Sequence, residues 1–169
     1  MIGEAYEYIE INPIDKIPEL EALLSGQNTE IKTSSDEGYT WLEDYSVCVV
    51  VYNPFNENTL EIELEEHTQF SLFFAGYHCH YFAYDVDYKH LCDDILAILE
   101  NRFCSATIFY GENNWLGSCL LDKKAVNAPY QENFEFVLKH PEFEEKIEKH
   151  GGIVCYRFWD SNKDVVITL

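Results

Sequence analysis

The densest run of chemistry-bearing side chains is His78-Cys79-His80, followed by Asp85, Asp87 and His90. Successive side chains on a strand point to opposite faces, so His78 and His80 share one side at chelating distance. Asp87 and His90, three apart at the start of a helix, share a face as well. Two imidazoles and a carboxylate with one open position are the chemistry of catalytic zinc or iron. The candidate metal ligands are therefore His78, His80, Asp87 and His90. The spacing departs from His-Glu-x-x-His and from the His-x-His-x-Asp-His pattern of metallo-hydrolases, since Asp85 follows His80 by five residues. The bland alternative makes Asp85 or Asp87 a helix N-cap and leaves the histidines on a polar sheet face.

Other reaction signatures are missing. No Gly-x-Ser-x-Gly elbow occurs, and Gly117-Ser118-Cys119 lies in the middle of an expected strand. Cys79 points away from both neighbouring histidines, so no Cys–His nucleophile forms locally. No Gly-x-Gly-x-x-Gly or P-loop cradles a phosphate, and no cofactor is called for. Paired carboxylates, the requirement of glycosidases, discriminate nothing in a chain with 31 acids. These absences favour a binding protein over an enzyme.

The second constellation is a row of acids. Pairing Tyr52 with Thr59 places Val51 opposite Leu60, Val49 opposite Ile62 and Val47 opposite Leu64, an apolar face. Its reverse carries Ser46, Cys48 and Val50 beside Glu61, Glu63 and Glu65. A one-residue slip would set valines beside glutamates, so the pattern fixes the register. Same-face residues on a strand lie ~7 Å apart, so the three carboxylates repel one another. A row of Lys or Arg on a partner would neutralise them, with Tyr52, Phe73 and Phe82 as aromatic anchors. The alternative is a solvated strand whose charges block edge-to-edge aggregation.

Net charge sharpens this reading. Lys+Arg number 11 against 31 Asp+Glu, a formal charge of -20. Residues 1–85 carry 17 acids with only Lys16 and Lys32 as bases. Such a chain is repelled by nucleic acid and by anionic membrane surfaces. In size and charge it resembles the immunity proteins, small acidic inhibitors of basic nuclease-type toxins. That resemblance implies a basic protein partner, with Glu61, Glu63, Glu65 and Tyr52 as the binding surface. Two alternatives stand beside it: a metal-dependent enzyme using the His78/His80 cluster, and a small-ligand binding domain with an aromatic-lined pocket, which 12 Tyr, 11 Phe and 3 Trp allow.

The six cysteines (Cys48, Cys79, Cys92, Cys104, Cys119 and Cys155) are widely spaced and form no Cys-x-x-Cys pair. They read as small buried hydrophobes in a reducing cytoplasm. The acidic opening residues lack the apolar core of a secretion signal, and no apolar run reaches the ~20 residues of a membrane helix.

The elements that must position these residues follow from periodicity. Residues 5–11 read as a strand. Asn12 caps a helix with Pro13 at its first position, carried by Ile14, Ile17, Leu20, Leu23 and Leu24 and ended by Gly26. Residues 27–44 read as a long polar loop. Hairpins are expected over 46–65, 69–82, 104–121 and 153–169, with helices over 86–101 and, broken at His140-Pro141, over 131–149. The whole is a single α+β domain, a mainly antiparallel sheet built from consecutive hairpins with about three amphipathic helices on one face. The other face is expected to be semi-polar and partly open.

Overall fold

A computed structural model describes residues 8–111 and 113–169. The fold is α+β, but its strands form two antiparallel sheets where one was expected. Hydrophobic pattern specifies each hairpin's register; nothing local specifies which hairpins share an edge. The backbone contacts group into two compact units. One comprises residues 1–52, 59–72 and 79–94; the other comprises 53–58, 73–78 and 95–169.

In the first unit a short 3-10 turn, Pro13–Lys16, leads into α1 (Ile17–Leu23). Asn12 caps the turn, its Oδ1 accepting from Ile14 N, and Pro13 sits where a missing N–H costs nothing. Of the strand expected over 5–11, residues 5–7 lie outside the described residues; Glu10 makes one antiparallel bridge to Tyr84.

The first sheet runs in chain order through β1 (Asn28–Lys32), β2 (Ser46–Tyr52), β3 (Thr59–Glu65), β4 (Gln69–Phe74) and β5 (Tyr77–Phe82). The β2–β3 register is the one that the valines and glutamates dictate, from Ser46↔Glu65 to Tyr52↔Thr59. In the β4–β5 hairpin, Ser71 meets His80 and Phe73 stacks on His78. The polar stretch 27–44 contains one strand that periodicity missed. β1 is polar apart from Ile31 and pairs with β2 as an edge, where Glu30 and Lys32 also guard against further pairing. Helix α2 (Asp85–Leu99) follows; its Tyr88 packs on Phe70 with ring centroids 5.3 Å apart.

The second unit is built on β6 (Phe103–Tyr110), β7 (Asn114–Asp122), β8 (Gly152–Arg157) and β9 (Val165–Thr168), in the order β7-β6-β8-β9. A 3-10 turn, Lys123–Asn127, leads to three short helices: α3 (Tyr130–Asn133), α4 (Glu135–Leu138) and α5 (Pro141–His150). The break before Pro141 falls where proline demands it, with His140 extended at φ -99°, ψ 102°. Val154 and Tyr156 on β8 pack with Phe134, Val137 and Ile147 in the core, and Val165, Ile167 and Leu169 lean against them. No described helix is long and apolar enough to cross a membrane.

Candidate functional site

The four histidine-cluster residues do not assemble. His78 and His80 are exposed on β5, but each already has a neighbour on β4. The His80 Nδ1 lies 2.9 Å from Ser71 Oγ, and the His78 ring stacks on Phe73 with a 22° interplanar angle. Asp87 and His90 sit in the first turns of α2, where Lys89 pairs with Asp85 instead. Among the described residues, no three His, Cys, Asp or Glu side chains converge to hold a metal ion.

The acidic row exists but is not an open surface. Glu61, Glu63 and Glu65 alternate with buried Leu60, Ile62 and Leu64, as period two requires. On the same side as the acids, however, Cys48 and Val50 are fully buried. Leu42 packs over them, flanked by Tyr39 and Tyr52, so part of the segment between β1 and β2 covers the face. The expectation of a partly open face fails at these positions. The reason is that a polar-looking stretch supplied Tyr39 and Leu42 as a small lid.

Two of the proposed partner-binding groups are already engaged. Glu61 Oε1 accepts from Thr59 Oγ1 at 2.8 Å and from the Tyr39 hydroxyl at 3.3 Å. Burial, and then the charge of Glu61, push the Tyr39 hydroxyl well above its ordinary range. Tyr52 donates its hydroxyl to Glu30 at 2.7 Å, and Glu30 also pairs with Lys32. Glu63 differs. Burial, with Glu65 adding like-charge repulsion, holds its carboxyl above the usual carboxylate range.

The cysteines are free, but only Cys48 and Cys104 are buried; Cys79, Cys92, Cys119 and Cys155 are half-buried. That corrects the expectation of six buried hydrophobes. Burial pushes the Cys104 thiol up to about 12 and the Cys119 thiol up to about 11.

The second unit holds a concave site that no motif announced. An open groove of about 280 Å³ is lined by Trp115 and Gly117 of β7, Phe136 of α4, Phe143 of α5, and His78 and His140. Trp115 is 57% exposed and Phe136 44%, large values for rings that flank a hollow. Their placement has two local causes. The β6–β7 register shifts between Ile108↔Gly117 and Phe109↔Trp115, leaving Leu116 as an extra residue. Leu116 is buried while Trp115 is exposed, and such a bulge bends and twists the strand at this point. Gly117 then forms a floor. A Cβ on it would lie 2.6 Å from Val137 Cγ2 and 3.3 Å from Phe136 Cε2, so α4 can settle this closely only over glycine.

Polar atoms border the aromatic walls. Ser118 and the two imidazoles line the groove, and the His140 ring meets Phe143 edge-on at 5.7 Å. Chemically, the arrangement can stack a planar group and hydrogen-bond one end of it. Lys146 lies over the Phe143 ring, 5.1 Å from its centroid, so this wall already accommodates a cation. Trp115, Phe136, His140 and Phe143 come from three separate elements. The only sequence signals for them were aromatic abundance and the His140-Pro141 break. No family model, no curated protein and no solved structure matches this chain.

Proposed function

We propose that this protein is a binding protein that takes a small planar molecule, neutral or cationic, in the groove between Trp115 and Phe136. The observation that carries this reading is the pair of exposed large rings standing over a glycine floor. Stacking supplies the affinity, and the imidazoles of His78 and His140 with the Ser118 hydroxyl set orientation. The formal charge of -20 disfavours an anionic ligand in this groove, which has no lysine or arginine among its lining residues. The working compartment in this reading is a reducing cytoplasm, where free cysteines persist. A screen of small aromatic fragments by amide chemical-shift mapping tests it. Shifts should cluster on residues 115–118 and 136–143, and Trp115→Ser should weaken the best fragment about ten-fold while leaving the fold intact. Fragments that bind elsewhere, or equally well to the variant, would remove the groove from consideration.

A second reading keeps the acidic row as a surface for a basic protein partner, bound in the manner of an immunity protein. One observation favours it: the carboxyl of half-buried Glu63 is pushed up first by burial and then by the like charge of Glu65, and a partner's Lys or Arg would relieve the second of these.

A further inference from the structure

Lysine and arginine are scarce in this chain, 11 against 31 acids. Three of the 11, Lys123, Lys124 and Lys163, nevertheless line one cavity of the second unit. We propose that this cavity is a binding site for a small multivalent phosphate-bearing anion, a site separate from the aromatic groove.

Topology explains the convergence. β6 begins where β7 ends, since Phe103 pairs with Asp122, and β8 leaves the sheet at the same end, since Arg157 pairs with Ser105. The connections before β6, after β7 and after β8 therefore gather there. They contribute Glu100 and Asn101, then Lys123, Lys124 and Asn127, then Phe158 and Lys163. The volume is about 430 Å³, within the range that holds a nucleotide-sized molecule.

Each connection is locked. Asn101 takes the left-handed conformation at φ 55°, closing α2, and its Oδ1 accepts from Asp160 N at 2.7 Å. Asp122 caps the turn after β7 by accepting from Lys124 N at 2.8 Å. Asp160 caps the turn that carries Lys163 by accepting from Asn162 N at 3.1 Å. The lysines thus extend from fixed backbone, a form of preorganisation.

The local carboxylates are committed elsewhere. Glu100, the one acid in the lining, pairs with Arg102 at 2.6 Å. Asp164 holds Arg157 and Phe158 N. Lys163 keeps a loose 3.8 Å approach to Asp160, and among the described residues Lys123 and Lys124 make no ion pair. Lys123 and Lys124, with no ion pair among the described residues, and the loosely paired Lys163 line a common volume together with Asn101 and Asn127. Lysine binds phosphate as a point charge, and three such charges match a di- or triphosphate. The net charge of the chain selects for size: an extended polyanion must run past carboxylates, whereas a small one need not.

Calorimetric titration of the full chain with inorganic tripolyphosphate at low ionic strength, without added divalent metal, tests the site. The expected result is one-to-one binding that Lys123→Gln/Lys124→Gln weakens at least ten-fold. Lys139→Gln/Lys149→Gln removes the same charge outside the lining and should change affinity less than two-fold. ATP titrated in parallel separates the sources. Equal affinity identifies the phosphate chain as the whole determinant, and tighter binding identifies a nucleotide; both support the site. Absence of binding at millimolar tripolyphosphate, equal loss in the two double variants, or equally tight binding of a twelve-nucleotide single strand would each overturn it. All four lysines are exposed, so unchanged thermal midpoints are expected of the variants and verify that the comparison is one of binding.

Discussion

On β3, the carboxylates of Glu61, Glu63 and Glu65 stand in a row, but the face they belong to is partly roofed by Leu42, Tyr39 and Tyr52. On β7 and α4 the arrangement is opposite: Trp115 and Phe136 are large and apolar, and both are exposed at the rim of a hollow. Charge is half-covered in one region and aromatic surface is uncovered in the other. Covering carboxylates costs free energy unless hydrogen bonds compensate, as the Tyr39 and Thr59 hydroxyls do at Glu61. Leaving two large rings exposed forgoes the stabilisation their burial would bring, ~25 cal/mol per Å². This contrast supports the proposed groove over the roofed acids as the binding surface.

The largest effect that could break the comparison is at the roof. Val49 faces the apolar side of the first sheet with Val51 and Ile62, and Val50 faces the acidic side with Cys48; all are essentially inaccessible. Val49→Asp and Val50→Asp should therefore be equally damaging, each costing about 4 kcal/mol or more, because each buries an unpaired charge. Urea denaturation measures it. A mild Val50→Asp would mean that the segment over the acidic face lifts away readily, and the acidic row would regain its standing as a surface.

Next in size is the effect on association. Reversing Glu61, Glu63 and Glu65 to Lys changes local charge by six units. If a basic partner captured at low salt docks on this row, its association should slow about ten-fold or more and lose most of its salt dependence. The same reversal at Glu142, Glu144 and Glu148 of α5, all exposed, is the control for net charge. Equal losses in both would assign the effect to overall charge, and no loss in either would leave the groove as the surviving reading.

The two regions also differ in what could be read without coordinates. The β2–β3 register was legible because valine and glutamate alternate at period two and punish a slip. The candidate acids followed directly from that register. Their covering was not legible, because Leu42 and Tyr39 sit in a polar stretch without periodicity, and β1 is an edge strand with mostly polar residues. The groove was illegible for a different reason. Trp115, Gly117, Phe136 and Phe143 are brought together by a one-residue bulge and by a glycine contact, neither of which leaves a periodic trace. The lysine cavity is the same case, since it depends on which loops share one end of a sheet. Pairing within a hairpin is written locally; assembly of hairpin ends is not.

The smallest effect is confined to one carboxyl. Glu63 is held above its ordinary value of 4.5 by burial and by Glu65, so folding disfavours its ionised form. The folded state then binds that proton more tightly than the unfolded state, and stability rises as pH falls from neutral through the raised folded value. Well below the ordinary value of 4.5 both states are protonated, and the relief is complete. Glu63→Gln removes the charge permanently. It should stabilise the protein at pH 7 by no more than about 1 kcal/mol, since the site is half-exposed and screened. The gain should be smaller at pH 4, where the raised carboxyl of the wild type is largely protonated as well. A pair of urea titrations at the two pH values reads the difference. A destabilising Glu63→Gln at pH 7 would mean that the ionised carboxylate is a favourable member of the roofed face, and the repulsion that supports the basic-partner reading would be gone.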